Sequence, residues 1–438
     1  MSAAAGGGPR SRALFRRAER VLAGGVDSPV RSFSAVGGTP VVVARGEGAY
    51  LVDVDGRRYI DLVNSWGANL LGHAPAPVRR ALARALRTGI SFGAPTPAEH
   101  ELAERIRRAV PEMERMRFVS SGTEATMTAV RLARAYTRRD LVVKFEGGYH
   151  GHSDGLLAVA GSGVATQAIA GSAGVPRSVL RGTRVLPYND LPALDRLFEA
   201  EGDRVAAVLV EPIAGNMGVV PATRPFLRRI ERWCRTAGAL AIADEVITGF
   251  RLRRGIVSPS LGLTPDLVTL GKIVGGGMPI GVYGGRAEVL AQVAPTGPVY
   301  QAGTLAGHPL AMAAGAAMLD AVRPALYDRL DRLGASLARG WEEAAEAEGI
   351  APLTVTRVGS MLSPFFAEPP IRAYRDAVRT DRDRYRRFFH GALAAGVYLP
   401  PSPLETAFLS AAMRPSTIAG ILGGIRKGLR AAGEGTHR

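Results

Sequence analysis

The chain is poor in thiols, lysine and aromatic rings. Its 438 residues include one cysteine, Cys234. A single thiol forms no intrachain disulfide, so a disulfide-stapled secreted fold is excluded and a reduced compartment is expected. Cys234 follows Trp233 in an amphipathic stretch and reads as buried filler. Lysine occurs at only three positions, Lys144, Lys272 and Lys427. The net charge of +16 therefore rests almost entirely on arginine. Those arginines are scattered through helix-like stretches, with no zinc spacing, no aromatic-basic motif and no continuous basic arm. They read as a solvated surface rather than a specific nucleic-acid site, and no metal site is expected. Long apolar runs are also missing. The least polar stretch, 303–319, contains His308 and Pro309 and reads as a buried helix, not a membrane span. Residues 1–9 lack a charged start and an apolar core, so they read as a flexible tail, and a cytoplasmic location is expected.

What is present is strand-helix alternation. Two short alternating segments, 49–54 and 57–63, flank Asp55-Gly56 and predict a hairpin. From about residue 75 to 320, apolar runs at 117–120, 141–145, 206–210, 239–243 and 267–270 alternate with helical patterns at 124–136, 191–200 and 225–237. This predicts an α/β fold with a mostly parallel sheet covered by helices on both faces. Ligands in such sheets bind beyond the carboxyl ends of the strands. The tail reads as helix over 325–348, strand-like 355–366, a charged helix over 371–395, a short strand at 397–399 and a final helix. Three units are expected: an N-terminal segment with the hairpin (1–70), a large domain (71–322) and a smaller α/β domain (323–438).

Three stations stand at predicted strand ends. Ser120-Ser121-Gly122-Thr123-Glu124 opens a helix and offers backbone N–H groups to an anion, although a plain N-cap explains the same residues. Asp244 ends the run at 239–243, where a carboxylate suits a protonated ring nitrogen, a metal or a structural ion pair. Lys272 follows the run at 267–270 and precedes three glycines; apolar surroundings lower an ammonium pKa and make a nucleophilic amine. Lys144 is its competitor at another strand. The glycines favour Lys272, since backbone passing close to a bulky ligand needs them. An anion cradle, a buried acid and an activated lysine together suit pyridoxal phosphate: the lysine for its aldehyde, the helix terminus for its phosphate, the acid for its pyridine nitrogen.

A longer ordered set of motifs runs from about residue 15 to 430. It includes Gly24-Gly25-Val26-Asp27-Ser28-Pro29-Val30-Arg31, Ser65-Trp66-Gly67, Tyr149-His150-Gly151-His152, and the blocks at 211–218, 244–251, 269–279, 299–304 and 401–410. In these the chain resembles the glutamate-1-semialdehyde 2,1-aminomutase branch of the class III aminotransferases, which are fold type I pyridoxal-phosphate enzymes. The resemblance implies that Lys272 carries the cofactor as a Schiff base, Asp244 pairs with the pyridine nitrogen and Tyr149 stacks on the ring. It implies phosphate binding by Ser121, Gly122 and Thr123. Thr304 would reach the phosphate of a neighbouring subunit, hence a homodimer with shared active sites. Ser28 and Arg31 would hold a substrate carboxylate, with Trp66, Ser162, Asn216 and Glu405 lining the substrate region and 152–180 forming a lid. The implied reaction is intramolecular amino transfer to 5-aminolevulinate, a tetrapyrrole precursor, through a diaminovalerate intermediate, the cofactor cycling with pyridoxamine phosphate. The chain departs from the family pattern at Asp27, Asn64, Ala68, Asn69, Gly148 and His308. A related aminotransferase acting on another amino acid or a secondary metabolite therefore stays open, and so, further off, does an inactive nucleic-acid-binding scaffold.

Overall fold

Val205–Val210 is apolar at every position and buried at every position, as a strand covered on both faces must be. It lies near the middle of a seven-stranded sheet in a computed structural model that describes residues 6–160 and 168–434. The spatial order is Arg115–Val119, Gly281–Gly285, Leu267–Gly271, Leu240–Asp244, Val205–Val210, Leu141–Phe145, Thr183–Leu186. All are parallel except Gly281–Gly285, which pairs antiparallel with both neighbours. Alternation divides the side chains between two layers. Ala207 and Leu209 pack towards Ala125, Ala129 and Leu132 of the helix Gly122–Thr137. Val208 and Val210 pack towards Phe226, Leu227 and Ile230 of the helix Arg224–Ala237.

The second helix shows why the sequence folds this way. Thr223 caps it by accepting from the Phe226 amide at 3.3 Å, and Gly238 ends it in the left-handed conformation at φ 68°. Phe226, Leu227, Ile230 and Cys234 recur at helical spacing and are buried. Cys234 is packing material, as the sequence suggests; burial pushes its thiol pKa up, away from reactivity.

The predicted hairpin is Tyr50–Asp53 with Arg58–Asp61. Its turn is fixed by Asp53, whose Oδ1 accepts from the Asp55 and Arg57 amides at 2.9 and 2.8 Å. Arg58–Asp61 also pairs in parallel with Val397–Tyr398, so the hairpin and the C-terminal part of the chain share one sheet. The stretch expected as one charged helix over 371–395 is two helices, Tyr374–Ala377 and Arg382–Ala394. The break is physical: the Asp381 carboxylate accepts from the Asp383 and Arg384 amides and starts the second helix afresh. The buried helix expected at 303–319 begins only at Pro309 and runs to Ala321. No described helix is long and apolar enough to cross a membrane.

Candidate active site

The carboxyl ends of the sheet strands converge on a cavity of about 430 Å³. Its lining includes Gly122, Thr123, Tyr149, Asn216, Asp244 and Lys272, with Arg31 at its exposed edge. Each arrives from a different loop. Gly122 and Thr123 open the helix that follows Arg115–Val119, Asp244 closes its own strand, and Lys272 follows Leu267–Gly271.

The helix start satisfies both readings of its sequence at once. The Ser121 hydroxyl accepts from the Glu124 amide at 3.2 Å and donates to Glu124 Oε2 at 3.0 Å. Ser121 is thus a cap and is not part of the cavity wall. Gly122 and Thr123 do line it, and first-turn amides have no acceptor within their own helix. They are free to meet an anion with the helix dipole behind them.

Asp244 is buried, yet three donors hold it. His150 Nδ1 lies 2.7 Å from Oδ2, while the Thr269 hydroxyl and the Val246 amide donate to Oδ1 at 3.0 and 3.1 Å. The contact to a carboxylate assigns the proton to His150 Nδ1. Burial lowers the His150 pKa, and the hydrogen bond and charge of Asp244 oppose that. Glu211, immediately after Val210, is buried beside them and accepts from the Tyr149 and Gly215 amides at 3.2 and 3.1 Å. Burial, reinforced by the nearby Asp244 charge, pushes its carboxyl up to about 8. The charged form of Glu211 is thus disfavoured beside Asp244. The sequence reading assigned no role to His150 or Glu211. Glu211 carries the same strand-end signal that drew attention to Asp244; His150 carries none.

Lys272 sits in the left-handed region at φ 48°, a conformation that costs a non-glycine residue about 1 kcal/mol or more. Its ammonium has no hydrogen bond or ion pair among the described residues. Burial lowers its pKa, opposed by the carboxylates of Asp244, Glu211 and Glu405. Lys144, its competitor in sequence, faces elsewhere: its ammonium donates to the carbonyls of Leu156 and Ala158 at 2.8 and 3.3 Å. The glycines after Lys272 have a different reason from the one expected. A Cβ on Gly275 would lie 2.6 Å from Ile280 Cγ2, and one on Gly276 2.5 Å from the Ala314 carbonyl. Two of the three thus serve packing inside the protein; only Gly277 faces the cavity.

The remaining predicted residues divide. Ser28 precedes the short turn Pro29–Ser32 that carries Arg31 to the cavity, without lining it. Trp66 is half-buried behind Ser65, which does line it. Asn64, Ser65 and Trp66 all have φ between 46° and 55°. Buried hydrogen bonds hold this strained run: Asn64 Nδ2 donates to the Asp61 and Phe408 carbonyls at 2.8 and 2.6 Å, and the buried Arg251 donates to the Gly67 carbonyl. Asn64 is therefore a brace of the turn rather than a wall of the cavity, whereas Ala68 is a wall. Glu405 is outside the cavity lining but close enough for its charge to act on Lys272; burial raises its carboxyl to about 7. Thr304 is exposed in a separate cleft between 91–96 and 303–309. Ser162 lies outside the described residues.

The pyridoxal phosphate suggested by the sequence fits this lining: first-turn amides for a phosphate, a fixed carboxylate for a ring nitrogen, an unpaired amine for an aldehyde. No group of three or more metal-ligating side chains occurs among the described residues. Residues 33–407 match the family model for class III aminotransferases. A glutamate-1-semialdehyde 2,1-aminomutase from Sorangium cellulosum (strain So ce56) is 54% identical over 97% of each chain. An omega-transaminase from Sphaerobacter thermophilus superposes with a TM-score of 0.90 at 36% identity, covering 97% of this chain and 98% of its own. A glutamate-1-semialdehyde-aminomutase variant from Pseudomonas aeruginosa PAO1, solved in complex with PMP, superposes at 0.86 with 27% identity, covering 97% and 94%. This chain belongs to the class III aminotransferase family.

Proposed function

We propose that the chain is a pyridoxal-phosphate-dependent glutamate-1-semialdehyde 2,1-aminomutase, moving an amino group within one substrate to give 5-aminolevulinate. The observation that carries the reading is the meeting of Lys272, Asp244 and the helix start at Gly122 around one cavity, in a chain 54% identical to an aminomutase over 97% of its length. When bound, pyridoxal phosphate supplies an aldehyde that captures amines and a ring that accepts electron density from the substrate carbon.

The chain's own groups do the rest. The Gly122 and Thr123 amides, with Ser121 shaping the turn, bind phosphate. Asp244 holds a proton at the ring nitrogen, and His150 fixes the carboxylate that does so. Tyr149, half-exposed over the cavity, offers a face for stacking. Lys272 would hold the cofactor covalently, and burial lowers its pKa, which suits its free amine to take and return a proton at the substrate carbon. Arg31, at the exposed edge, binds the substrate carboxylate through charge-assisted hydrogen bonds. Asn216 lines the substrate space, with Trp66 and Glu405 standing behind it.

The decisive assay gives the purified, cofactor-loaded protein glutamate-1-semialdehyde with no second amino acceptor. Formation of 5-aminolevulinate is expected. Turnover that appears only when an oxo acid is added would make the chain a related aminotransferase instead.

We further read the chain as a homodimer in which Thr304 serves the neighbouring site. Ile90, Phe92, Tyr300 and Leu305 are each more than half exposed and lie in the segments that border the Thr304 cleft, an apolar area suited to burial by a second copy. A monomeric sedimentation profile for the loaded enzyme would remove that part of the reading. A cytoplasmic location accords with the lone buried thiol.

A further inference from the structure

A second cavity, about 1480 Å³, lies between the N-terminal segment and the helices Arg382–Ala394 and Pro415–Gly433, and shares no lining residue with the site above. Among the described residues five arginines reach it, Arg12, Arg57, Arg58, Arg386 and Arg387; His390 lines it too, and Glu434 is its single acid. Elsewhere on this surface arginines pair with carboxylates one turn away, such as Arg235 with Glu231 at 2.8 Å. Here only Arg386 does so among the described residues, with Asp383 at 2.9 Å, and both partners are more than half exposed, where such a pair is weak.

The acids nearby are committed to other donors. Asp53 accepts from two backbone amides and from the Tyr59 hydroxyl at 2.9 Å. Asp55 accepts from the Arg10 and Ser11 amides and the Ser11 hydroxyl, at 2.8, 3.0 and 2.8 Å. Arg57 shares the charge of Asp55, whose carboxylate is already engaged by three donors, and three of the other guanidinia are held by uncharged groups. Arg58 lies over the Tyr50 ring at 3.5 Å, Arg12 donates to the Gly7 carbonyl at 2.9 Å, and Arg387 donates twice to the Ala432 carbonyl. Arg12 and Arg387 spend one or two of their five donors in this way. His390 gives one ring nitrogen to the Val36 carbonyl at 2.9 Å, and its buried Nδ1 has no partner.

Guanidinia gathered around one recess repel one another unless an anion lies between them. Planar, bidentate donors match the oxygens of carboxylates and phosphates alike, and several guanidinia around one recess favour the more highly charged phosphate. We propose that this cavity binds a small molecule carrying two or more phosphate groups. A recess bordered by three parts of the chain suits a compact ligand better than the continuous stripe that a nucleic-acid backbone follows.

The test is calorimetric titration of sodium tripolyphosphate into the cofactor-loaded, full-length protein at about 0.1 M salt. Saturable binding at one site per chain is expected. Arg57→Ala with Arg386→Ala is expected to weaken it about a hundredfold, close to tenfold for each guanidinium removed. Arg79→Ala with Arg80→Ala removes the same net charge from an exposed helix and is expected to change affinity by less than about twofold at moderate screening. If the first pair does not fold, Arg57→Gln alone is expected to weaken binding about tenfold. Equal effects of the two pairs, or no saturable binding, would overturn the proposal. So would tighter binding of a short single-stranded oligonucleotide that depends on Arg57 and Arg386, since that would make the cavity a polymer site.

Discussion

Lys272→Ala is expected to abolish turnover and to leave the protein unable to hold its cofactor covalently. The chain has three lysines. The Lys144 ammonium is tied to two carbonyls away from the cavity, and Lys427 lies in the C-terminal helix Pro415–Gly433. Neither can replace an amine that stands unpaired at the cavity wall. Loss of the proton-transfer group alone removes about 10²–10⁴-fold in rate, and loss of the covalent attachment adds to it. The fold is expected to survive, because Lys272 makes no hydrogen bond or ion pair among the described residues and its removal leaves none unsatisfied. Borohydride reduction followed by peptide mass analysis checks the assignment directly. Wild-type protein is expected to be labelled at Lys272 alone and the variant nowhere; label at Lys144 in the wild type would show that the cavity has been misread.

The parts of this site that were legible in sequence share a property: their signal is local. Leu141–Phe145 is apolar from end to end apart from Lys144, and its strand boundaries can be read directly. Lys272 and Asp244 stand beside such strands and inherit their clarity. Gly281–Gly285 is the contrary case. Its residues, Gly-Val-Tyr-Gly-Gly, have poor strand propensity and follow a glycine run, so nothing local marks a strand. The reason lies across the sheet. A Cβ on Gly281 would fall 2.0 Å from the Ser121 carbonyl, and one on Gly284 2.6 Å from the Arg115 carbonyl. The strand is glycine-rich because the start of the helix Gly122–Thr137 and the neighbouring strand press on it, which only the three-dimensional arrangement reveals. His150 is hidden for a related reason: its partner Asp244 is 94 residues away. The braced turn at Asn64–Trp66 combines both effects, since residues other than glycine adopt left-handed angles there only because Asp61, Phe408 and Arg251 hold them. Even the glycines after Lys272, correctly singled out, owe two of their three positions to tight packing, one of them against Ala314 far along the chain.

Asp244→Asn should separate the chemical role of that carboxylate from its structural one. Asparagine keeps the shape and one carbonyl oxygen, so it can still accept from His150 Nδ1 or from the Thr269 hydroxyl, the two side chains that now hold Asp244 at 2.7 and 3.0 Å. Folding and cofactor content are expected to change little. What would disappear is the negative charge proposed to keep a proton on the ring nitrogen, a preorganised electrostatic interaction. Removing one such interaction costs about 10²–10³ in kcat, near 3–4 kcal/mol of transition-state stabilisation. Glu211 is a poor substitute: burial, the larger cause of its raised carboxyl pKa, persists once the Asp244 charge is gone. The effect is therefore expected in kcat rather than KM, with the cofactor still bound and still attached to Lys272. A fall of less than about tenfold in a fully loaded variant would show that the hydrogen bonds of Asp244, and not its charge, are what the site requires.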